Sequence, residues 1–204
     1  MSAFALLYED WQLIVVLSSL FIGAYVVGRI LFVAKNDLAL RILEKLDTPR
    51  KEIVKTICKN LFMPYGVVRA IFIIFFINLF GGAFIWSTIG GLFLVAPFVH
   101  NIMTGLLTGL ALKRYPERVN RLTFFNVLFE IGAFICAGIG GIRIGLSIWG
   151  PANFFSAITN WGMIFLTVVM PFQFIGAVFE GLLFKRLYVE KKIPLPYGLS
   201  KDSL

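Results

Sequence analysis

The stretch Leu122–Trp149 reads LTFFNVLFEIGAFICAGIGGIRIGLSIW. One carboxylate, Glu130, and one guanidinium, Arg143, interrupt residues that are otherwise apolar or uncharged. A helix needs about 20 apolar residues to cross the hydrocarbon core of a bilayer, and this stretch is longer than that. Ala133, Ala137, Gly141 and Gly145 recur at every fourth residue, with Gly132, Cys136 and Gly140 beside them. Residues i and i+4 share a helix face, so these form two adjacent ridges of small side chains. Between helices in lipid there is little hydrophobic drive, and small ridges let backbones pack closely instead. The stretch therefore sets both the solvent, which is lipid, and the fold, a helical bundle with this span at its centre.

The rest of the chain agrees. Of its 204 residues 59% are hydrophobic and 15% charged. Soluble domains sit near 45–50% and roughly 25%. Further spans are expected at about 11–34, 67–86, 92–112 and 161–184. The expected fold is all-α: a five-transmembrane-helix bundle forming a single integral membrane domain over 1–204. Gly105 and Gly109 repeat the small-residue spacing in the third span, as do Ala24 and Gly28 in the first and Ala177 and Gly181 in the fifth. The N-terminus has no basic segment and carries Glu9 and Asp10 before the apolar run, which argues against a cleavable signal.

Charge sets the topology. Of the 19 Lys and Arg residues, 16 fall between spans one and two, between spans three and four, or after span five, and Arg69 lies just beyond the first of these loops. Cytoplasmic loops collect Lys and Arg. Five spans then place the N-terminus outside the cell membrane and the C-terminus in the cytoplasm. Trp11, Trp86, Trp149 and Trp161 all fall at the opposite ends, where an aromatic belt sits. This distribution accounts for the net charge of +8 without nucleic acid as a partner. Cys58 and Cys136 fall in a charged loop and an apolar span, too far apart for a disulfide.

The 35–66 loop carries its own pattern. Leu38, Ile42, Leu43 and Leu46 share a helical face. Asp47-Thr48-Pro49 is expected to end that helix and start another, with Thr48 as N-cap. In the second helix Ile53, Val54, Ile57, Cys58 and Leu61 oppose Lys51, Glu52, Lys55 and Lys59. The expectation is a cytoplasmic amphipathic helical hairpin on the membrane face or under the bundle. Its sharper reading is a docking surface for a partner.

Polar groups at membrane depth are costly and need partners. Asn78, His100, Asn101, Asn126, Glu130 and Gln173 all fall within spans and are expected to meet in one buried cluster. That cluster reads as structural glue, as an ion or proton site on Glu130 and His100, or as part of a substrate route. Pro171 should kink the fifth span, and Gly90-Gly91 with Pro97 could break the third. Arg143 is expected to snorkel outward. Catalysis would need a nucleophile beside Glu130 or His100, and the sequence carries no HExxH, GxSxG or phosphate-loop motif. No enzymatic activity, cofactor or metal is expected.

Three stretches carry a family resemblance: Ile77-Asn78-Leu79-Phe80-Gly81-Gly82-Ala83, then Asn101 to Gly109, then Glu130 to Gly138 ending in Gly141-Ile142-Arg143-Ile144-Gly145. Over about residues 67–149 the chain resembles the stage II sporulation protein M family of integral membrane proteins. Phe125-Asn126-Val127 stands where that family commonly has Pro-His-Gly, so a Glu–His pair does not carry over. The resemblance implies a non-catalytic membrane scaffold or assembly factor that recruits membrane-associated protein partners. The small-residue ridges also suit a homodimer. The alternative is a small transporter, channel or permease subunit with a polar midplane site around Glu130.

Overall fold

The computed structural model describes residues 2–34, 37–114 and 121–191. All regular structure in these residues is helical. A short helix α1 (Ala3–Glu9) is capped by Ser2, whose hydroxyl accepts from the Ala5 N–H. It is followed by α2 (Trp11–Val33), α3 (Asp37–Leu61), α4 (Gly66–Ile89), α5 (Ala96–Arg114), α6 (Arg121–Trp149) and α7 (Phe154–Glu190). Four of these, α2, α4, α6 and α7, are long and apolar enough to cross a membrane; the apolar part of α5, Ala96–Leu112, is shorter.

The core is α6. In its most apolar window 56% of residues are buried, against 11% for α2. Ala133, Ala137 and Ile139 are wholly enclosed. The glycines set how closely its neighbours approach. A Cβ on Gly141 would sit 2.8 Å from the Ser87 carbonyl oxygen of α4. A Cβ on Gly145 would sit 2.9 Å from the Gly91 and Leu92 carbonyls. Gly140 admits the Trp161 indole, and Gly132 faces Phe172 at 3.3 Å. Backbone meeting backbone replaces the side-chain interdigitation of a soluble core. On the other flank α2 packs along α5 in the same way through Gly28, Gly105 and Gly109.

Three expectations about boundaries change. The third helix begins at Ala96 rather than residue 92, because Gly90–Val95 form a turn in which Leu94 takes a positive φ of 61°. Pro97 then sits in the first helical turn, where its missing N–H goes unused, and does not break the helix. The fifth helix begins at Phe154, not 161, because Asn153 caps it by accepting from the Ser156 N–H at 3.1 Å. The hairpin expected at 35–66 is one helix: α3 runs unbroken through Pro49. A proline inside a helix removes one hydrogen bond and need not end it. Leu38, Ile42, Leu43 and Leu46, and the loop residues Lys35, Arg118, Lys192 and Lys201, lie outside the described side chains. The second half of α3 buries Val54, Ile57, Cys58 and Leu61 and leaves Lys51, Glu52 and Lys59 exposed. It packs under α4, to which it turns through Tyr65 in a left-handed conformation.

Two helices leave the α-helical register. In α4, Ile77–Ile89 is π-helical, and the Thr88 hydroxyl donates to the carbonyl of Ala83, five residues back. In α7, Phe165–Val169 is π-helical immediately before Met170-Pro171. Pro171 has no N–H and its ring crowds the preceding turn, so a widened turn there absorbs the proline.

A candidate polar cavity at the basic end of the bundle

Near the ends of α5 and α6 that flank residues 115–120, the bundle encloses a cavity of about 270 Å³. Its polar wall is assembled from four helices. Asn78 comes from the start of the π-helical part of α4, and Thr104 and Thr108 from one face of α5. Thr123, Asn126 and Glu130 come from one face of α6, at spacings of three and four. Glu180 comes from α7. Its apolar wall is Ile53, Val54 and Ile57 of α3, with Leu107 and Leu183. Glu130 lies nine residues from the start of α6, roughly 13 Å along the axis at 1.5 Å per residue.

Asn126 is only 8% exposed, and its Oδ1 accepts no hydrogen bond among the described residues. A buried, unsatisfied amide oxygen carries a desolvation penalty of about 1–3 kcal/mol. The close passage of α7 holds it there: a Cβ on Gly176 would lie 3.5 Å from Asn126 Oδ1 and from the Glu130 N–H nitrogen. Gln173, fully buried, supports the site from behind by donating to the Glu130 carbonyl at 3.4 Å.

The six polar residues expected in one cluster divide into two groups. Asn78, Asn126 and Glu130 line the cavity, with Gln173 behind Glu130. His100 and Asn101 lie toward the other end of the bundle. The late start of α5 puts them one turn inside that helix, not at its middle. Asn101 donates to the Pro97 carbonyl of its own helix at 2.8 Å. His100 Nδ1 lies 3.0 Å from Ser87 Oγ, and its ring packs on Phe134 at 4.9 Å and near Trp86. A serine beside a histidine is the pairing that hydrolytic chemistry requires. Ser87, however, is fully enclosed at 0% exposure, so no substrate reaches its hydroxyl in this arrangement.

Glu180 escaped the sequence reading although it is a carboxylate inside an expected span. Its spacing of seven from Gln173, two helical turns, was the available signal. Thr104, Thr108 and Thr123 gave none by themselves. Among the described residues no group of three or more His, Cys, Asp or Glu is placed to hold a metal ion.

Arg143, expected to snorkel outward, reaches the end of the bundle where α2 begins and is held there by two acids. Its Nε donates to Asp10 Oδ2, its Nη2 to Glu9 Oε2 at 3.1 Å, and Nη2 also reaches the Leu6 carbonyl at 3.5 Å. The short α1, unforeseen from the sequence, brings these acids within reach. At this same end Trp149 Nε1 donates to the Leu92 carbonyl and Trp161 Nε1 to Thr88 Oγ1. The tryptophans thus mark one end of the bundle, and the cavity lies toward the other.

Fold and site together define a multi-pass α-helical membrane protein with a polar cavity in one half of its bundle. In comparisons with known proteins, the chain matches no family model, no curated protein and no solved structure.

Proposed function

We propose that the chain is a small membrane permease or channel subunit, with five spans, an external N-terminus and a cytoplasmic vestibule that admits a polar solute. The observation that carries this reading is the cavity in which Glu130 and Glu180 face a common space with Asn78, Asn126 and the α5 threonines. Ionisable groups inside a membrane protein mark ion or substrate pathways far more often than they serve packing. The distribution of Lys and Arg supports the orientation. The apolar face of α3 roofs the vestibule, and the π-helical segment of α4 begins at its wall. Such segments recur at functional sites.

A scaffold that recruits protein partners is the second reading. It rests on the resemblance to the stage II sporulation protein M family and on the exposed charged face of α3. One measurement separates the two. A single cysteine at position 130, in a background with Cys58→Ala and Cys136→Ala, is treated with a membrane-impermeant thiol reagent on each side of sealed vesicles. Cys58 and Cys136 are the two cysteines of the sequence, so the background carries no other thiol. The vestibule reading predicts labelling from the cytoplasmic side only. If position 130 resists labelling from both sides while the protein remains folded, Glu130 is packing and the scaffold reading takes its place.

A further inference from the structure

We infer that the outer face of α4, at the basic end of the bundle, binds an anionic phospholipid, with its phosphate on Arg69 and one acyl chain along a ladder of phenylalanines. The head is specified by charge. The stretch from Lys59 to Arg69, which carries the turn from α3 into α4, holds two cations and no carboxylate. Both cations are exposed. Among the described residues the Arg69 guanidinium has no carboxylate partner, and its Nη1 donates to Met63 Sδ at 3.3 Å. A thioether sulfur is a weak acceptor, so the fork keeps its capacity for a stronger one. Phosphate oxygens match that fork two at a time. Helical side chains lean toward the N-terminus of their helix, which carries the Arg69 head back toward the membrane surface, and the contact with Met63 records that lean. Tyr65, 83% exposed in the same turn, adds a hydroxyl donor.

The tail is specified by the stripe below. Val68, Phe72, Phe76 and Phe80 recur at every fourth residue of α4 and all are exposed. Phe72 stacks on Phe76 with ring centroids 6.4 Å apart, and Phe76 on Phe80 at 6.0 Å, so the rings form one continuous ridge. Phe174 of α7, also exposed, flanks it at 6.5 Å from Phe72. From Val68 to Phe80 the ridge runs roughly 18 Å at 1.5 Å per residue, and one leaflet supplies about 15 Å of hydrocarbon. Any lipid could lay a chain on this ridge. The unpaired guanidinium at its head selects an anionic one, because a zwitterionic head carries its own cation beside the phosphate. A soluble acidic molecule would meet the cations but not the ridge, which lies at membrane depth. The site stands whether or not the cavity carries a solute.

The test is native mass spectrometry of the full chain in a mild detergent, titrated with dioleoylphosphatidylglycerol or dioleoylphosphatidylcholine, with inorganic phosphate as a competitor. Phosphatidylglycerol is expected to bind about fivefold tighter than phosphatidylcholine, the weight of one basic residue near an anionic lipid. Inorganic phosphate should not displace it. Arg69→Gln should abolish the preference and leave phosphatidylcholine binding as it was. Arg121→Gln takes the same charge from the same end of the bundle, at the exposed start of α6, and should keep the preference. Arg69→Lys holds the charge without the fork, should keep part of the preference, and serves if the glutamine variant fails to fold. Phe76→Ala removes a rung of the ridge and should weaken both lipids roughly threefold. Equal affinity of the parent for the two lipids overturns the assignment. So does an equal loss of preference in Arg69→Gln and Arg121→Gln, displacement of the lipid by inorganic phosphate, or lipid binding unchanged in Phe76→Ala.

Discussion

Gly109→Ala is expected to destabilise the bundle by about 3 kcal/mol, the upper part of the range for overpacking a tight site. The reason is what the added methyl would meet. A Cβ at position 109 falls inside contact distance of the Tyr25 carbonyl oxygen and 3.1 Å from the Arg29 backbone nitrogen. One turn earlier, a Cβ on Gly105 would press on the Phe21 carbonyl and lie 3.1 Å from the Ala24 side chain. From the other side, a Cβ on Gly28 would strike the Leu106 backbone. A flexible side chain could step aside, but these obstacles are main chain and the fixed Ala24 methyl, so α2 and α5 must separate along their length. Gly23 is the internal control. It lies on the same helix α2 with nothing within 4 Å of its would-be Cβ. Gly23→Ala should be neutral or stabilising by up to about 1 kcal/mol, from helix propensity alone. Thermal melting of both variants in one mild detergent decides the matter. Equal melting of the two would mean that α2 and α5 do not make this approach.

That contrast also shows how far the sequence could be read. The small-residue spacing on α2, α5 and α6 follows from helix geometry, and the glycines at 28, 105, 109, 141 and 145 do sit where backbones meet. Gly23 has no such role, and spacing alone did not distinguish it by contact. The polar residues were legible as a set but not in their arrangement. Their depth was judged from the apolar run, which starts at residue 92, whereas the helix starts at Ala96 after a turn with Leu94 at positive φ. A shift of four residues is a full turn. It moves His100 and Asn101 to the helix entrance and leaves Thr104 and Thr108 to line the cavity. Local propensity makes Asp47-Thr48-Pro49 a break between two helices, but the helix continues and its apolar face from Val54 to Leu61 is buried under the bundle. Burial of such a face outweighs a local penalty of roughly 3 kcal/mol. The π-helical segments have no sequence signature beyond Pro171 in α7 and the paired Gly81 and Gly82 in α4.

Arg143→Ala is expected to free α1 from the bundle, raising amide exchange of its buried Leu6 and Leu7 by roughly thirtyfold, or about 2 kcal/mol of local opening. The guanidinium joins α6 to α1 and the start of α2 by hydrogen bonds, through Leu6, Glu9 and Asp10. Its partners differ in weight. The Asp10 side chain is 17% exposed and Glu9 52%, so water and salt screen the Glu9 pair far more than the Asp10 pair. Asp10→Asn should therefore recover most of the Arg143→Ala effect, and Glu9→Gln only a small part. A double-mutant cycle over Arg143 and Asp10 isolates the pair from the cost of leaving either charge behind. Arg143→Lys keeps the charge but loses the planar fork that spans two carboxylates, and should fall between the parent and alanine. Raised salt should narrow the gap between parent and Arg143→Ala, because partly exposed pairs weaken as the Debye length shrinks. Unchanged exchange at Leu6 and Leu7 in Arg143→Ala would show that α1 is held by its apolar contacts with α7 alone. In that case the two acids beside Arg143 would serve only to keep a lone cation solvated at the tryptophan end of the membrane.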